Sequence, residues 1–569
     1  MPPSSADAIQ RAVALYEARR FDEAAEACER LLATPGPRGD VAHLAGLLAF
    51  ERGDHRRGIT LLREAQDAGI KSPSLHANLA ICLAAVGEIS AAVEQAHLAL
   101  RLAPLSAMAR VAAADAFLAM GAVGEAVTEL RAALSIEPSP PIQSNLLYAM
   151  NFLPGYKPAE ILEEHRAFGR TYAPAVYRLA GHPNDPDPDR KLRVGYLSAD
   201  MRSHSVAHFL APLLEAHDRA EVEVTGFPSV KRPDAVTERL RGLADAWIPL
   251  LGLSDEQAAM AIREARIDIL VDLGGHTGDS RLLVLARRPA PVQVSFLGYP
   301  STTGVDAVGY RLTDALVDPE GEADRHHVET LVRLPSGFLC YEPPASAPDV
   351  SPSPVTRGDG LTFGSFNTLA KMTPRVVELW ARIVRKAEGS RLFLKSGPLA
   401  DAGVRERVTK QFVDQGIDAS RLVLEGRTPG QLGHLARYAE IDVALDPFPY
   451  NGTTTTCEAL YMGVPVVALE GDRHASRVSA SILRRAGLDS LVSATPKQYQ
   501  ATALGLAKNP ARVAELRAGM RARLAGSPLL DKAGFARSVE AAYRALWGAW
   551  CRKVTAEPAP LSFGPGGPG

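Results

Sequence analysis

Up to Pro138, apolar residues recur at the three-to-four spacing of a helix, and that helical pattern itself repeats. Pro104 and Pro138, 34 residues apart, each close an apolar helical stretch. Counting back from each, the small residues coincide: Ala80 with Ala114, Ala92 with Ala126, Ala99 with Ala133, and the larger Leu83 with Phe117. One period earlier the same places hold Gly46, Gly58 and Ala65. Another period back they hold Ala12, Leu15 and Ala24, with Pro35, Gly36 and Pro37 as breakers. Small residues at fixed positions let the two helices of a hairpin cross closely, and stacked hairpins share one core. The pattern predicts a superhelix of helical hairpins over residues 1–139, with a bundle lacking true repeats as the alternative. Such a superhelix offers a concave groove for peptide and no chemistry of its own. Residues 140–189 read as a helical connector followed by a Pro/Asp-rich linker, Gly181-His-Pro-Asn-Asp-Pro-Asp-Pro-Asp.

After Lys191 the texture changes to short apolar runs alternating with helical patterns. Leu192-Arg-Val-Gly-Tyr-Leu-Ser, Val222-Glu-Val-Thr-Gly-Phe, Ile267-Asp-Ile-Leu-Val-Asp-Leu and Val292-Gln-Val-Ser-Phe-Leu read as strands of a first parallel, doubly wound half over 190–345. A stretch rich in Pro, Ala and Ser at 343–354 reads as a linker. The alternation then restarts over 346–550 with Leu361-Thr-Phe-Gly-Ser-Phe, a helix over 376–386, Arg391-Leu-Phe-Leu-Lys, Leu422-Val-Leu-Glu, Val443-Ala-Leu and Val466-Val-Ala-Leu. A helix over 531–550 closes this second half, and the Pro/Gly-rich residues 551–569 read as a disordered tail. The fold class expected is therefore α plus α/β: a helical repeat array, then two Rossmann-like halves with a cleft between them. In such sheets ligands bind beyond the carboxyl ends of the strands, which directs attention to the loops there.

At 569 residues the chain exceeds one hydrophobic core, in keeping with this division. Lys and Arg total 63 against 65 Asp and Glu, so no global basic field for nucleic acid exists. Five cysteines, odd in number, far apart and without a C-x-x-C, fit neither a disulfide framework nor a structural zinc site, and point to a reducing compartment. The N-terminus shows no signal-peptide pattern, and no apolar run reaches the roughly 18–20 residues needed to span a bilayer. The expectation is a cytoplasmic protein with neither membrane nor nucleic-acid partners.

Four loops carry candidate chemistry. Asp446-Pro-Phe-Pro-Tyr-Asn-Gly-Thr-Thr-Thr-Thr-Cys-Glu follows a strand and opens a helix, so its free N–H groups and hydroxyls make an anion site, with Glu458 one turn in to accept from sugar hydroxyls. A simple cap by Thr454 is the alternative. Phe366-Asn-Thr-Leu-Ala-Lys371 places a cation that either neutralises a departing diphosphate or is merely solvated. Asp200-Met-Arg-Ser-His204-Ser-Val-Ala-His208 offers a general base, or two histidines that cap the next helix. His434 and Arg437 lie three apart on one helix face, planar side chains suited to a nucleobase or simply to a surface helix.

The 34-residue period resembles the tetratricopeptide repeat, although the consensus aromatic at its start is missing. The whole arrangement resembles the O-linked N-acetylglucosamine transferase family, its bacterial members above all. The resemblance rests on Leu-Arg-Val-Gly-Tyr-Leu-Ser-Ala-Asp, Arg-Pro-Ala-Pro-Val-Gln-Val-Ser-Phe-Leu-Gly-Tyr-Pro-Ser-Thr-Thr-Gly, Phe366-Asn-Thr-Leu-Ala-Lys, Asp446-Pro-Phe-Pro-Tyr-Asn-Gly-Thr-Thr-Thr and Ser476-Arg-Val-Ser-Ala-Ser-Ile-Leu. It implies a GT-B fold and metal-independent, inverting transfer of N-acetylglucosamine from UDP-GlcNAc to Ser/Thr of proteins, with no cofactor and with acceptors held in the repeat groove. By matching position, Lys371 would stabilise the leaving diphosphate. Thr453, Thr454 and Thr455 would hold phosphates, Glu458 the ribose, and His434 and Arg437 the uridine. His204 matches the proposed base with Asp200 in the same loop, and Arg281, Leu297 and Gly298 match residues lining the sugar and diphosphate region. The chain departs from the animal pattern at Gln431 (a lysine there), Thr453 (a histidine), Glu458 (an aspartate), Thr368 and Ala370 (a glutamine and a tyrosine beside the donor) and Val206 (a threonine). A relative that uses another nucleotide sugar, such as GDP-fucose or UDP-glucose, and a non-catalytic repeat scaffold are the alternatives.

Overall fold

The computed structural model describes residues 5–18, 20–34, 38–358 and 360–555. The breakers Pro35, Gly36 and Pro37 and the tail from residue 556 lie outside the described residues. The chain divides into two compact units, one of residues 1–157 with 343–524, the other of residues 158–342 with 525–569.

In the first unit the repeats appear as hairpins in strict register. Helices α1 (Ser5–Glu17), α3 (Gly39–Glu51), α5 (Pro73–Val86) and α7 (Ala107–Met120) begin 34 residues apart. So do α2 (Phe21–Leu32), α4 (His55–Asp67), α6 (Ile89–Leu102) and α8 (Val123–Ile136). The small residues do what their size allows: Ala12, Ala24, Ala80, Ala92, Ala99, Ala114, Ala126 and Ala133 are fully buried. A side chain at Gly46 or Gly58 would meet the other glycine's carbonyl at 3.1 Å. Ser72 and Ser106 cap α5 and α7 through their hydroxyls, and Gly87 and Gly121 end them in the left-handed conformation. A ninth helix, α9 (Pro140–Met150), packs on α8 and continues the array past the expected boundary.

The same unit contains a six-stranded parallel sheet, and the other unit a seven-stranded parallel sheet. In chain order the strands of the seven-stranded sheet are β1 (Leu192–Ser198), β2 (Val222–Pro228), β3 (Ala246–Trp247), β4 (Ile269–Asp272), β5 (Val292–Ser295), β6 (Tyr310–Thr313) and β7 (Thr330–Arg333). Those of the six-stranded sheet are β8 (Thr362–Ser365), β9 (Arg391–Lys395), β10 (Leu422–Glu425), β11 (Val443–Leu445), β12 (Val466–Leu469) and β13 (Val492–Ser493). Their spatial orders, β3-β2-β1-β4-β5-β6-β7 and β10-β9-β8-β11-β12-β13, both reverse direction once, between β1 and β4 and between β8 and β11. These reversals are the switch points where open α/β sheets bind ligands. The fold class is thus the expected one, helical repeats followed by two Rossmann-like sheets. Among the described residues no helix is long and apolar enough to cross a membrane.

Two placements differ from the sequence reading. The closing helix, Lys532–Thr555, was expected in the second half but belongs to the unit of the first sheet. Its buried face of Phe535, Val539, Tyr543, Leu546 and Trp547 packs there: Phe535 stacks near Phe296, Tyr543 hydroxyl meets Tyr196 hydroxyl at 3.3 Å, and Glu540 pairs with His217 at 2.9 Å. An amphipathic period records that a face is buried, not against which sheet. The same helix carries Cys551 to Thr555, which the sequence assigned to the disordered tail.

In the second unit, α10 (Pro158–Tyr172) lies against the loop after β5. A Cβ at Gly169 would sit 1.9 Å from the Gly304 carbonyl oxygen, and one at Gly304 2.0 Å from that of His165. Buried His165, kept neutral by burial that pushes it down to about 4, bonds Tyr299 hydroxyl at 2.7 Å. Gly169→Ala is expected to destabilise the protein by about 1–3 kcal/mol through overpacking. A denaturant midpoint unchanged from the parent would refute this contact.

Candidate active site

The switch point of the six-stranded sheet brings two loops together. β8 and β11 are hydrogen-bonded neighbours, with Phe363 opposite Val443, so the segments that follow them emerge side by side. After β11, buried Asp446 accepts the Gly452 N–H at 2.8 Å and Asn451 N–H donates to Ala475 O at 2.9 Å, which curls the chain back before the helix Thr454–Tyr461. Only glycine fits at 452, because a Cβ would meet Thr456 Oγ1 at 2.5 Å and Asp446 Oδ1 at 2.8 Å. Thr453 is the N-cap and its side chain makes no capping bond, which sets aside the simple cap by Thr454. Cys457 N–H is the first to find a helical acceptor, Thr453 O at 3.0 Å, so the N–H groups of the first turn open onto the helix end beside partly exposed Thr453, Thr454 and Thr455.

Lys371 reaches this helix end from the short turn Leu369–Lys371 that follows β8. Its Nζ donates to Asn451 O at 2.7 Å and to Asn367 Oδ1 at 3.4 Å, and lies 4.4 Å from the centre of the Tyr450 ring. Thr455 Oγ1 donates to the same Asn367 Oδ1 at 3.1 Å, tying the two loops together. Lost hydration pushes the Lys371 ammonium down to about 8, against the attraction of Asp446. Burial likewise raises Asp446, to about 7. Repeat helix α7 abuts this turn: a Cβ on Gly121 would stand 3.0 Å from Leu369 O.

Further along the strand ends, His434 and Glu458 are bonded to each other, while Arg437, in the same charged cluster around Lys395, is bonded to Glu425. Lys395 Nζ donates to His434 Nδ1 at 2.8 Å, which leaves the ring proton on Nε2 to be donated to Glu458 Oε2 at 3.1 Å. Tyr438 hydroxyl also donates to Glu458 Oε2, at 3.3 Å. Arg437 turns to a two-pronged pair with Glu425 at 2.5 and 3.1 Å and covers Phe393, because the helix ends at Ala436. Gln431 is exposed at the start of that helix, and Thr368 is exposed ahead of the Lys371 turn. Lys395, Asn367, Asp446 and Tyr450 were not singled out from the sequence. The available signal was their place at the end of β9 and in the loops after β8 and β11.

In the other unit, β1 leads into the second candidate loop. Asp200 is buried, and its Oδ1 lies 3.6 Å from His204 Nδ1 and 3.4 Å from Arg202 Nη2. Val206 N–H approaches the same His204 nitrogen at 3.4 Å, so Asp200 and Val206 ask for opposite tautomers at long range. Desolvation lowers His204 despite the Asp200 charge, which keeps the ring neutral and able to accept a proton. The helix Ala207–Ala216 has Val206 as N-cap without a side-chain bond; His204 meets the helix start through the Val206 N–H, and His208 faces Glu342 O at 3.3 Å. Arg281 is engaged with Asp255 at 3.2 Å and with Leu253 O at 2.9 Å. Leu297 holds a left-handed φ of +62°, and a Cβ at Gly298 would sit 1.9 Å from Leu273 O, so the loops after β4 and β5 are pressed together.

Residues 176–343 and 356–539 match the family model of glycosyl transferase family 41. The chain is 40% identical over 411 residues to a tomato (Solanum lycopersicum) protein named probable UDP-N-acetylglucosamine–peptide N-acetylglucosaminyltransferase SPINDLY, a match that covers 72% of this chain and 44% of that one. It is 23% identical over 474 residues to the Caenorhabditis elegans UDP-N-acetylglucosamine–peptide N-acetylglucosaminyltransferase, covering 63% and 41%. The matches thus span less than half the length of these relatives. Among solved structures, a mutant O-GlcNAc transferase of Thermobaculum terrenum superposes with a TM-score of 0.87 at 33% identity, over 97% of this chain and 100% of that one. With both sheets, their switch-point loops and the repeats accounted for by these matches, the chain belongs to glycosyl transferase family 41.

Proposed function

We propose that this chain transfers N-acetylglucosamine from UDP-GlcNAc to serine or threonine hydroxyls of proteins, inverting the anomeric centre without a metal ion. The observation that carries the reading is the Lys371 ammonium seated on Asn451 O beside the open N-terminus of the helix Thr454–Tyr461. A diphosphate leaving there gains a cation and oriented N–H dipoles at the moment its charge develops. Thr453, Thr454 and Thr455 hold its phosphates, Glu458 the ribose, and His434 the base, oriented by Lys395. Arg437, positioned by Glu425, is assigned to the uridine together with His434. Arg281, Leu297 and Gly298 line the sugar.

In the reaction the acceptor oxygen attacks C1 of the sugar, the bond from C1 to the phosphate oxygen breaks, and the electron pair departs on UDP. The hydroxyl proton passes to His204, with Asp200 orienting the ring. One in-line displacement inverts the centre. Peptide acceptors are in keeping with the names of the relatives, and we assign their delivery to the repeat groove. The odd, widely spaced cysteines support a reducing compartment, and we assign the reaction to the cytoplasm on that ground.

A second reading, a donor such as GDP-fucose, draws on the residues at Gln431, Thr453, Thr368 and Ala370, where the animal pattern differs. A thermal-shift panel of UDP, UDP-GlcNAc, GDP and GDP-fucose decides between them. A ligand at 100 times its dissociation constant adds about 2.7 kcal/mol of stability. A shift with GDP and none with UDP reverses the donor assignment. Transfer is also expected to survive EDTA, since Lys371 and the helix end supply the charge a divalent ion supplies elsewhere. Loss of turnover on chelation, restored by Mn²⁺ or Mg²⁺, would overturn the metal-free mechanism.

A further inference from the structure

A cavity of about 460 Å³ opens where the chain leaves β12, within the usual size range of ligand pockets, about 300–1,000 Å³. None of Lys371, His434, Thr453, Thr454, Thr455 or Glu458 lines it. Its walls are largely apolar, from Pro154, Leu379, Phe448, Pro449, Leu469 and Pro496. Arg473 also lines it, with a side chain only 10% exposed. Two of that guanidinium's buried nitrogens, Nε and Nη1, have no hydrogen-bond partner. Asp472 Oδ1 forms a long ion pair with Nε at 3.4 Å, and Nη2 reaches Leu153 O at a long 3.4 Å, which leaves Nη1 without any partner.

Three carboxylates line the cavity, and exposed Asp472 is the partner of Arg473. Glu378 pairs with Arg382, and Glu470 with Arg477 at 2.9 Å and Arg484 at 2.6 Å. Arg375, exposed at the rim, adds a further positive charge. Buried donors without acceptors are uncommon in folded proteins, and with Arg477 and Arg484 beside Glu470 the guanidinium groups at and behind these apolar walls outnumber the three carboxylates, an arrangement complementary to an anion with an apolar body.

We propose that this cavity is a second ligand site, for a small organic carboxylate with an aryl or alkyl body. The carboxylate accepts from Arg473, and the body packs among Leu379, Phe448, Leu469 and Pro496. Phe448 and Pro449 belong to the donor loop and are followed directly by Tyr450 and Asn451, which hold Lys371, so the cavity lies behind that loop and apart from Lys371 and Thr453–Thr455.

The test is calorimetric titration of the full chain with phenylbutyrate, phenylbutanol and phenylbutylamine, each with and without saturating UDP. Phenylbutyrate should bind one to one, at least about tenfold more tightly than the alcohol, as a charge-assisted hydrogen bond requires. Arg473→Met should abolish that preference. Arg375→Glu, at an exposed position where folding is unaffected, should weaken phenylbutyrate about threefold or more by local repulsion. UDP should leave the affinity in place. Absence of saturable phenylbutyrate binding at millimolar concentration, equal affinity for the alcohol, or indifference to both substitutions overturns the proposal. Displacement by UDP also overturns it, by assigning the cavity to the donor. A protein that binds phenylbutyrate but not UDP would instead refute the donor reading and leave this site standing.

Discussion

Lys371→Ala is expected to lower sugar transfer by about 10²–10³, the usual cost of removing one preorganised group aimed at developing charge. The loss should fall on kcat as well as on donor affinity, because the ammonium meets more negative charge in the transition state than in bound donor. Folding should survive, since the lysine's ordinary pKa is already depressed by the cost of placing its charge there. The same depression predicts the pH profile. A cation held near 8 loses its proton as pH rises through that value, so kcat/KM of the free enzyme should fall above about pH 8. Bound diphosphate favours the charged form, so the fall in kcat should come at higher pH. In Lys371→Ala the alkaline limb attributable to this group should vanish. Parent-like transfer in the alanine variant, at normal thermal stability, would remove Lys371 from the mechanism.

His204→Ala should show the opposite division: UDP affinity nearly intact and transfer slowed by about 10²–10⁴, the contribution of a general base. His204 is lowered by desolvation and so is uncharged at neutral pH, ready to take a proton, with Asp200 3.6 Å from Nδ1 to stabilise the imidazolium that forms. Asp200→Asn should be slower than the parent but milder than the loss of the ring. His208→Ala should be mildest, because His208 faces a backbone carbonyl, Glu342 O. The measurement pairs UDP titration with single-turnover transfer for all three variants. Near-normal transfer by His204→Ala would leave Asp200, or a water relay, as the base.

Periodicity is local, and what depends on periodicity alone was legible along the chain. The 34-residue spacing of small residues places helix starts at Ser5, Gly39, Pro73 and Ala107 because each hairpin solves the same packing problem. The apolar runs at Arg391, Leu422, Val443 and Val466 begin strands for the same local reason. The loop around Asn451 was readable as an anion site because a turn residue, a glycine and hydroxyl residues precede a helix. Partner choice is non-local, and there tertiary structure decided. Strand order sets β8 beside β11, so that Lys371 finds Asn451, 80 residues away. It sets Lys395 against His434, which assigns the ring's proton and couples it to Glu458. The helix face shared by His434 and Arg437 did not announce their partners: the helix ends between them, Glu425 takes Arg437 with a two-pronged pair, and Glu458 takes His434. The closing helix declared its apolar face in sequence, but only complementary packing against Phe296 and Tyr196 chose the sheet that covers it.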